Sequence, residues 1–110
     1  VDANEDAVVA LARLIAGVGH EVRTAFDGFA AVAAAAEFRP EVVVLDIGLP
    51  GMDGYEVAAR LRAARPDPSP ILIALTGYGR EEDRRRALAV GFDHHLIKPA
   101  DLDAILGLLP

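Results

Sequence analysis

The sequence predicts a single α/β domain in which a parallel β-sheet is covered by helices on both faces. Two short runs, 42–45 and 71–75, contain only aliphatic residues, which is typical of strands buried on both sides of a parallel sheet. Helical patterns alternate with these runs, as the crossovers between parallel strands require. Aromatic residues make up only 5% of the 110 residues, so one core must be built from Ala, Val, Leu and Ile.

The amino-terminal part predicts two helices with a short strand between them. Asn4 is suited to the N-cap of the first helix, and Gly17 lies where the apolar pattern ends. Residues 21–26 alternate weakly between polar and apolar and predict a short strand. An alanine-rich helix follows at 29–38 and is ended by Pro40. The apolar face of the first helix comprises Val8, Leu11, Ile15 and Val18.

A strand is expected before the first helix. Val1 and Asp2 resemble the end of such a strand, but the residues that would form the rest of it are not in the sequence. We therefore expect the natural chain to extend towards the N-terminus with a short apolar strand. Without that strand, the sheet should carry an unfilled slot beside the strand at 42–46.

The remaining two thirds of the chain predict three strands and three helices. In order they are strand 42–46, helix 54–64, a proline-rich connection at 66–70, strand 71–75, helix 80–90, strand 93–97 and helix 100–109. The helix at 80–90 is highly charged and should face solvent. In it Glu81 and Glu82 each precede an arginine by four residues, which predicts ion pairs across one turn.

Composition excludes several classes of function. A net charge of −6 and an isoelectric point near 4.9 disfavour a surface for nucleic acid or anionic lipid. The absence of cysteine excludes disulfides, thiol nucleophiles and thiolate metal sites. Neither a membrane-spanning run nor the pattern of a signal peptide is present in the sequence. We therefore expect a cytoplasmic domain that does not bind nucleic acid or membranes directly.

Polar residues stand at the ends of the apolar strands, at Asp2, Asp46, Thr76 and Lys98. The carboxyl ends of parallel strands share one edge of the sheet, so these side chains should converge there. Two carboxylates suit a hard divalent cation such as Mg²⁺, whereas a hydroxyl and an ammonium group suit phosphoryl oxygens. Each residue alone has a simpler explanation as a helix cap, a turn residue or a solvated charge. Their joint occurrence favours a site.

Three short motifs contain these residues. Residues 45–54 read Leu-Asp-Ile-Gly-Leu-Pro-Gly-Met-Asp-Gly, residues 74–77 read Ala-Leu-Thr-Gly, and residues 98–99 read Lys-Pro. Through these motifs, the chain resembles the receiver domain of two-component response regulators over essentially its whole length. Segments 77–79 and 91–99 also resemble receivers at the C-terminus of hybrid histidine kinases.

The resemblance implies a flavodoxin-like, doubly wound sheet of five parallel strands in the order 2-1-3-4-5. It also implies that Asp46 is the phosphoacceptor, which takes a phosphoryl group from a histidine kinase or a histidine phosphotransfer protein. Mg²⁺ would be held by Asp2, by Asp46 and by the backbone carbonyl of Gly48. Lys98 would pair with a phosphoryl oxygen after the transfer. The domain would be a phosphoacceptor that assists its own phosphorylation and dephosphorylation, and not an enzyme acting on other substrates.

The resemblance further implies a conformational switch. Thr76, followed by Gly77, would bind the phosphoryl group and draw its loop inward, and a residue of the last strand would then move inward. That residue is His95 here, whose ring could make the switch sensitive to pH. Alternatively, His94 and His95 are simply strand residues with exposed polar tips. The altered surface, formed by the fourth helix, the last strand and the last helix, would be read by a partner or form a homodimer.

Ala3 departs from the family pattern. Receivers carry two acidic residues after the first strand, and here the pair reads Asp2 and Ala3, which should weaken Mg²⁺ binding. A second hypothesis is therefore a degenerate receiver that binds a partner constitutively. A third is an enzyme or flavin carrier on a flavodoxin-like scaffold. The acidic stretch 2–6 disfavours it, because it would repel phosphate.

Overall fold

The computed structural model describes residues 1–49, 51–64, 70–77, 81–98 and 101–109. Within these ranges the chain forms five helices and three strands. Their order is α1 (Glu5–Gly17), α2 (Gly28–Phe38), β1 (Val42–Asp46), α3 (Gly54–Ala64), β2 (Ile71–Thr76), α4 (Glu81–Ala89), β3 (His94–Ile97) and α5 (Leu102–Leu106). Most of the predicted proline-rich connection, the start of the predicted fourth helix, and positions 50, 78–79, 99 and 100 lie outside the described residues.

The three strands form a parallel sheet in the order β1-β2-β3. Val42 to Asp46 pair with Ile71 to Leu75, and Ile73 to Thr76 pair with His94 to Ile97. Leu45, Leu72 and Ile73 are fully buried, which confirms that the two aliphatic runs are strands covered on both faces.

Side-chain caps start four of the five described helices, and Asp101 supplies the one at α5. Asn4 accepts a hydrogen bond from the backbone N–H of Ala7 at the start of α1, and Asp27 does the same for Ala30 at the start of α2. Asp53 lies directly before α3, where its carboxylate accepts a hydrogen bond from the backbone N–H of Glu56. The predicted boundaries of α1, α2 and α3 therefore agree closely with the structure. No helix among the described residues has the length and apolar character needed to cross a membrane.

The predicted strand at 21–26 is wrong for this structure, because residues 21–25 have no regular secondary structure. A backbone hydrogen bond of 3.3 Å, from Asp2 N–H to the carbonyl of Ala25, joins this segment to the first residues of the chain. A strand is defined by a ladder of backbone hydrogen bonds to a neighbouring strand, and the described residues give this segment no such ladder. Of the predicted order 2-1-3-4-5, the described residues contain only the 3-4-5 part.

Two smaller expectations also need correction. The last helix is shorter than predicted, since it ends at Leu106 and turns follow. Glu81 pairs with Arg85 at 3.3 Å as expected, whereas the guanidinium of Arg86 lies 4.0 Å from the ring centroid of Tyr55. A cation over an aromatic ring gains a favourable electrostatic contact, which explains why the guanidinium of Arg86 lies over Tyr55.

An arginine on α3 anchors the start of β3. Arg62 donates hydrogen bonds to the backbone carbonyls of Gly91 and Pro70, and its Nη2 lies 2.6 Å from Asp93 Oδ2. The same carboxylate oxygen accepts a 2.8 Å hydrogen bond from the backbone N–H of Leu72 on β2. We call Arg62 and Asp93 the β3 anchor, because together they join α3, β2 and the approach to β3.

Candidate functional site

Asp46 is the last residue of β1 and only 7% exposed. Its backbone N–H donates to the carbonyl of Val1 at 2.8 Å. Its Oδ1 accepts a hydrogen bond from the backbone N–H of Gly48 at 3.0 Å, and its Oδ2 lies 2.7 Å from Lys98 Nζ. A buried carboxylate needs such donors, so Asp46 is oriented at the carboxyl edge of the sheet.

Gly48 follows Asp46 closely in space as well as in sequence. A Cβ atom at this position would lie 3.6 Å from Asp46 Oδ1, so the residue is in the immediate surroundings of the carboxylate. Its backbone N–H donates a hydrogen bond to Asp46 Oδ1. The structure therefore places Gly48 at the predicted site.

Lys98 comes directly after β3 and joins the two carboxylates. Its Nζ lies 2.7 Å from Asp46 Oδ2 and 3.0 Å from Asp2 Oδ2. Its backbone N–H donates to the carbonyl of Thr76 at 2.7 Å, which fixes the chain at the end of β3. Burial disfavours the charged ammonium group, but hydrogen bonds and charge attraction from Asp46 and Asp2 outweigh burial and raise the pKa of Lys98.

Asp2 lies at the same edge and precedes α1. Burial opposes ionisation of its carboxyl group, yet the backbone N–H of Asn4 and the ammonium group of Lys98 together hold its pKa below the usual value. Ala3 is exposed and carries no side-chain oxygen. The site therefore contains two carboxylates and one ammonium group, which leaves a net charge of −1 when all three are ionised.

Thr76 ends β2, the neighbouring strand, and is buried. A 3.0 Å hydrogen bond joins its Oγ1 to Nε2 of His95 on β3. His94 and His95 are both half-buried. Gly77 follows Thr76 and is exposed. The polar tip of His95 is therefore engaged with a residue of the predicted site.

The arrangement agrees with the predicted convergence and adds one residue. Asp2, Asp46 and Lys98 are in direct contact, and Thr76 and His95 form a hydrogen-bonded pair on the adjacent strands. The sequence reasoning did not identify the backbone of Val1, which accepts the hydrogen bond from Asp46 N–H. Its position next to Asp2 was the available signal.

The residues present supply only part of the ligands that a divalent cation needs. Asp2 and Asp46 contact one ammonium group, so their carboxylates face a common point, and Mg²⁺ is commonly held by one or two carboxylates with water. Among the described residues no cluster of three or more His, Cys, Asp or Glu surrounds a common position. A cation bound by Asp2 and Asp46 would compete with Lys98 for both of them.

The model of the response regulator receiver domain family matches residues 1–109. The transcriptional regulatory protein TcrA of Mycobacterium tuberculosis is 46% identical over 99 residues, covering 90% of this chain and 38% of TcrA. PrrA of Mycobacterium leprae is 39% identical and covers 90% of this chain and 42% of PrrA. The chain thus spans about two fifths of the length of these curated relatives.

Solved structures of related proteins have the same fold as this chain. The chemotaxis protein CheY4 of Vibrio cholerae superposes with a TM-score of 0.89 at 27% identity, covering 96% of this chain and 88% of CheY4. A response regulator of Burkholderia pseudomallei, described with a phosphorylated aspartic acid, a calcium ion and citrate, also superposes with a TM-score of 0.89. Its identity is 31%, and the match covers 99% of this chain and 63% of that protein.

Proposed function

This chain belongs to the response regulator receiver domain family, and from this we propose that it is a signalling domain that accepts a phosphoryl group on Asp46. The donor is a phosphohistidine of a histidine kinase or of a histidine phosphotransfer protein in the cytoplasm. The observation that carries the proposal is the buried Asp46 carboxylate at the carboxyl edge of the sheet, held by Lys98 and by the N–H of Gly48.

The transfer requires Asp46 to be ionised, because the carboxylate oxygen is the nucleophile. Lys98 Nζ lies 2.7 Å from Asp46 Oδ2, beside the attacking carboxylate. A carboxylate oxygen of Asp46 forms a bond to phosphorus, and the phosphorus–nitrogen bond to the donor histidine breaks. The electron pair of that bond stays on the imidazole nitrogen, which then takes up a proton.

Lys98 and Thr76 bind the product of the transfer. The ammonium group of Lys98, already beside Asp46, pairs with a phosphoryl oxygen, and the hydroxyl of Thr76 together with the Gly77 loop binds another. Mg²⁺, held by Asp2, Asp46 and the carbonyl of Gly48, would offset the repulsion between the carboxylate and the phosphoryl oxygens. Ala3 supplies no third carboxylate, so we expect this binding to be weak.

The hydrogen bond between Thr76 and His95 connects the site to β3. When Thr76 turns its hydroxyl to a phosphoryl oxygen, this bond must rearrange, and the ring of His95 moves with it. The surface of α4, β3 and α5 then changes. Leu88 of α4 and Ile97 of β3 are about half exposed, which supports a role of this surface in binding a partner or a second copy.

The proposal is tested by treating the chain with Mg²⁺ and phosphoramidate, a small phosphohistidine analogue, and measuring the intact mass. We expect the addition of one phosphoryl group, and its loss in Asp46→Asn. Asp53→Asn is the matched control, because Asn also caps helices well and Asp53 is the cap of α3. Equal labelling of Asp46→Asn and the unchanged chain would contradict the proposal.

The second candidate, a degenerate receiver that binds its partner without phosphorylation, is favoured by Ala3 and by the contact of Lys98 with both carboxylates. Amide NMR during titration with Mg²⁺ and then beryllofluoride separates the two. In an active receiver, shifts extend from Asp46 to Thr76, His95 and Lys98. If only an Ala3→Asp variant shows these shifts, the degenerate form is correct.

A further inference from the structure

Gly54, the first residue of α3, lies against the backbone that directly follows Asp46. A Cβ atom on Gly54 would stand 2.6 Å from the Cα of Ile47 and 2.7 Å from the carbonyl oxygen of Asp46. Carbon atoms in favourable contact are about 3.5–4.0 Å apart. Because both of the crowded atoms belong to the backbone, no change of side-chain rotamer would relieve the overlap. Glycine therefore allows α3 to begin this close to the end of β1.

Backbone hydrogen bonds and this close contact fix the position of Ile47. The N–H of Ile47 donates to the carbonyl of Leu75 on β2 at 3.1 Å. The carbonyl of Ile47 accepts a 3.0 Å hydrogen bond from the N–H of Gly54. The backbone of Ile47 thus lies between β2 and the start of α3 and is bonded to both.

Ile47 is the middle residue of the turn that orients the Asp46 carboxylate. In this turn, Asp46 Oδ1 accepts a 3.0 Å hydrogen bond from the N–H of Gly48, two residues later. A side-chain acceptor and a backbone donor at this spacing form an Asx turn, whose geometry depends on the dihedral angles of the residue between them. A displacement of Ile47 would therefore change the distance between the carboxylate and the N–H of Gly48.

We propose that Gly54 is a positioning residue for the phosphoryl transfer. It acts through the backbone of Ile47 to hold the Asp46 carboxylate and the N–H of Gly48 in the arrangement that accepts the phosphoryl group. This inference rests on the proposed role of Asp46 as the phosphoacceptor. Attack on phosphorus requires an exact placement of the carboxylate oxygen, and a displacement of about 1 Å can lower a rate about 100-fold. A side chain at position 54 would thus impair the reaction without touching a reacting group.

Gly28 offers a matched control, because it is similarly crowded at a different place. It is also the first residue of a helix, α2, and a Cβ atom there would lie 2.8 Å from the carbonyl oxygen of Met52 and 2.8 Å from Cγ2 of Val57. Neither of these residues belongs to the turn at Asp46. Gly28→Ala should therefore strain the packing of α2 on α3 and leave that turn intact.

The experiment compares the unchanged chain with Gly54→Ala and Gly28→Ala. It measures urea unfolding, hydrogen exchange of the Gly48 amide by NMR, and the rate of labelling by phosphoramidate with Mg²⁺ per folded molecule. We expect both variants to lower the urea midpoint. In Gly54→Ala the Gly48 amide should exchange about tenfold faster, because its hydrogen bond to Asp46 is weakened, and labelling should be about 100-fold slower. In Gly28→Ala both rates should stay close to those of the unchanged chain.

A second variant tests the same link without adding a side chain. Chemical synthesis can replace the N–H of Gly54 by an ester oxygen, which removes the hydrogen bond to the carbonyl of Ile47 and creates no overlap. Because only one hydrogen bond is lost, we expect this chain to fold. Exchange of the Gly48 amide should be faster and labelling slower, each by about tenfold.

The proposal is overturned if Gly54→Ala and Gly28→Ala are labelled equally fast per folded molecule, because Gly54 would then contribute to stability alone. Unchanged exchange of the Gly48 amide in Gly54→Ala would overturn it as well. If Gly54→Ala does not fold, the ester chain decides, and normal exchange and labelling in that chain contradict the proposal. Absence of labelling in the unchanged chain contradicts the proposed function of Asp46 instead, and Gly48 exchange still decides whether Gly54 holds the turn.

Discussion

Two segments of similar length and mixed polarity, 21–26 and 93–97, were both predicted as strands, and only the second contains one. Residues His94–Ile97 form β3, in register with Ile73 to Thr76 of β2. The β3 anchor also fixes the approach to this strand. In the part of the chain that the structure describes, the segment 21–26 has one such backbone hydrogen bond, from Asp2 N–H to the carbonyl of Ala25. The comparison shows that a weak alternating pattern becomes a strand only where a neighbouring strand is in place.

The burial of apolar side chains also differs between β2 and α1. Around β2, Leu72, Ile73 and Ala74 are fully buried. By contrast, Leu14 of α1 is 54% exposed and Val18, the residue directly after α1, is 56% exposed, although both are large apolar residues. Apolar side chains are thus fully buried along β2 and partly exposed at the C-terminal half of α1.

The largest expected effect is a difference in the free energy of unfolding between two substitutions, one in β2 and one in the segment 21–26. Leu72→Ala should lower the free energy of unfolding by about 3 kcal/mol, because a fully buried leucine leaves a cavity that its surroundings cannot fill. Val22 of the segment 21–26 is only half-buried, so Val22→Ala should lower the free energy of unfolding by less than about 1 kcal/mol. Urea unfolding of both variants measures this. Similar losses would show that the two sides are packed alike.

The β3 anchor is the next target. Asp93→Ala removes the acceptor of Leu72 N–H and of Arg62, and should lower the free energy of unfolding by about 1–2 kcal/mol. Asp93→Asn keeps an acceptor oxygen and should lose less than half as much. Urea unfolding measures the stability of each variant, and hydrogen exchange of the β3 amides measures how well the strand is protected. If Asn and Ala are equally damaging, the negative charge and not the hydrogen bonds anchors β3.

An effect that depends on pH concerns Val1, whose backbone is hydrogen-bonded to β1. Burial lowers the pKa of its amino group from 8.0 to about 6, so between these pH values the unfolded chain binds the proton and the folded chain does not. The free energy of unfolding should therefore rise with pH from 6 to 8, by up to about 2 kcal/mol. Denaturation of the free-amine chain at several pH values, with an N-acetylated chain as control, measures the difference. Identical pH profiles would contradict the burial of this group.

The candidate site was predictable as far as its members were concerned. Asp46 and Thr76 each follow an aliphatic run, Lys98 follows the predicted last strand, and parallel strands bring their carboxyl ends to one edge. Its internal contacts were not predictable. That Lys98 bridges Asp2 and Asp46, and that Thr76 is bonded to His95, depends on side-chain distances between separate strands.

The sequence by itself determined the features that arise from short-range chemistry. Aliphatic runs define β1 and β2, and the caps Asn4, Asp27 and Asp53 define the starts of three helices, because a side chain and its backbone partners lie within a few residues.

Only the tertiary structure decided the features that need a distant partner. Arg86 lies over Tyr55 and not beside Glu82, β3 is held by an arginine of α3, and residues 21–25 have no regular secondary structure. In each case the free energy of the contact comes from groups far apart in the chain. No local pattern records which of several available partners a side chain or a strand will meet.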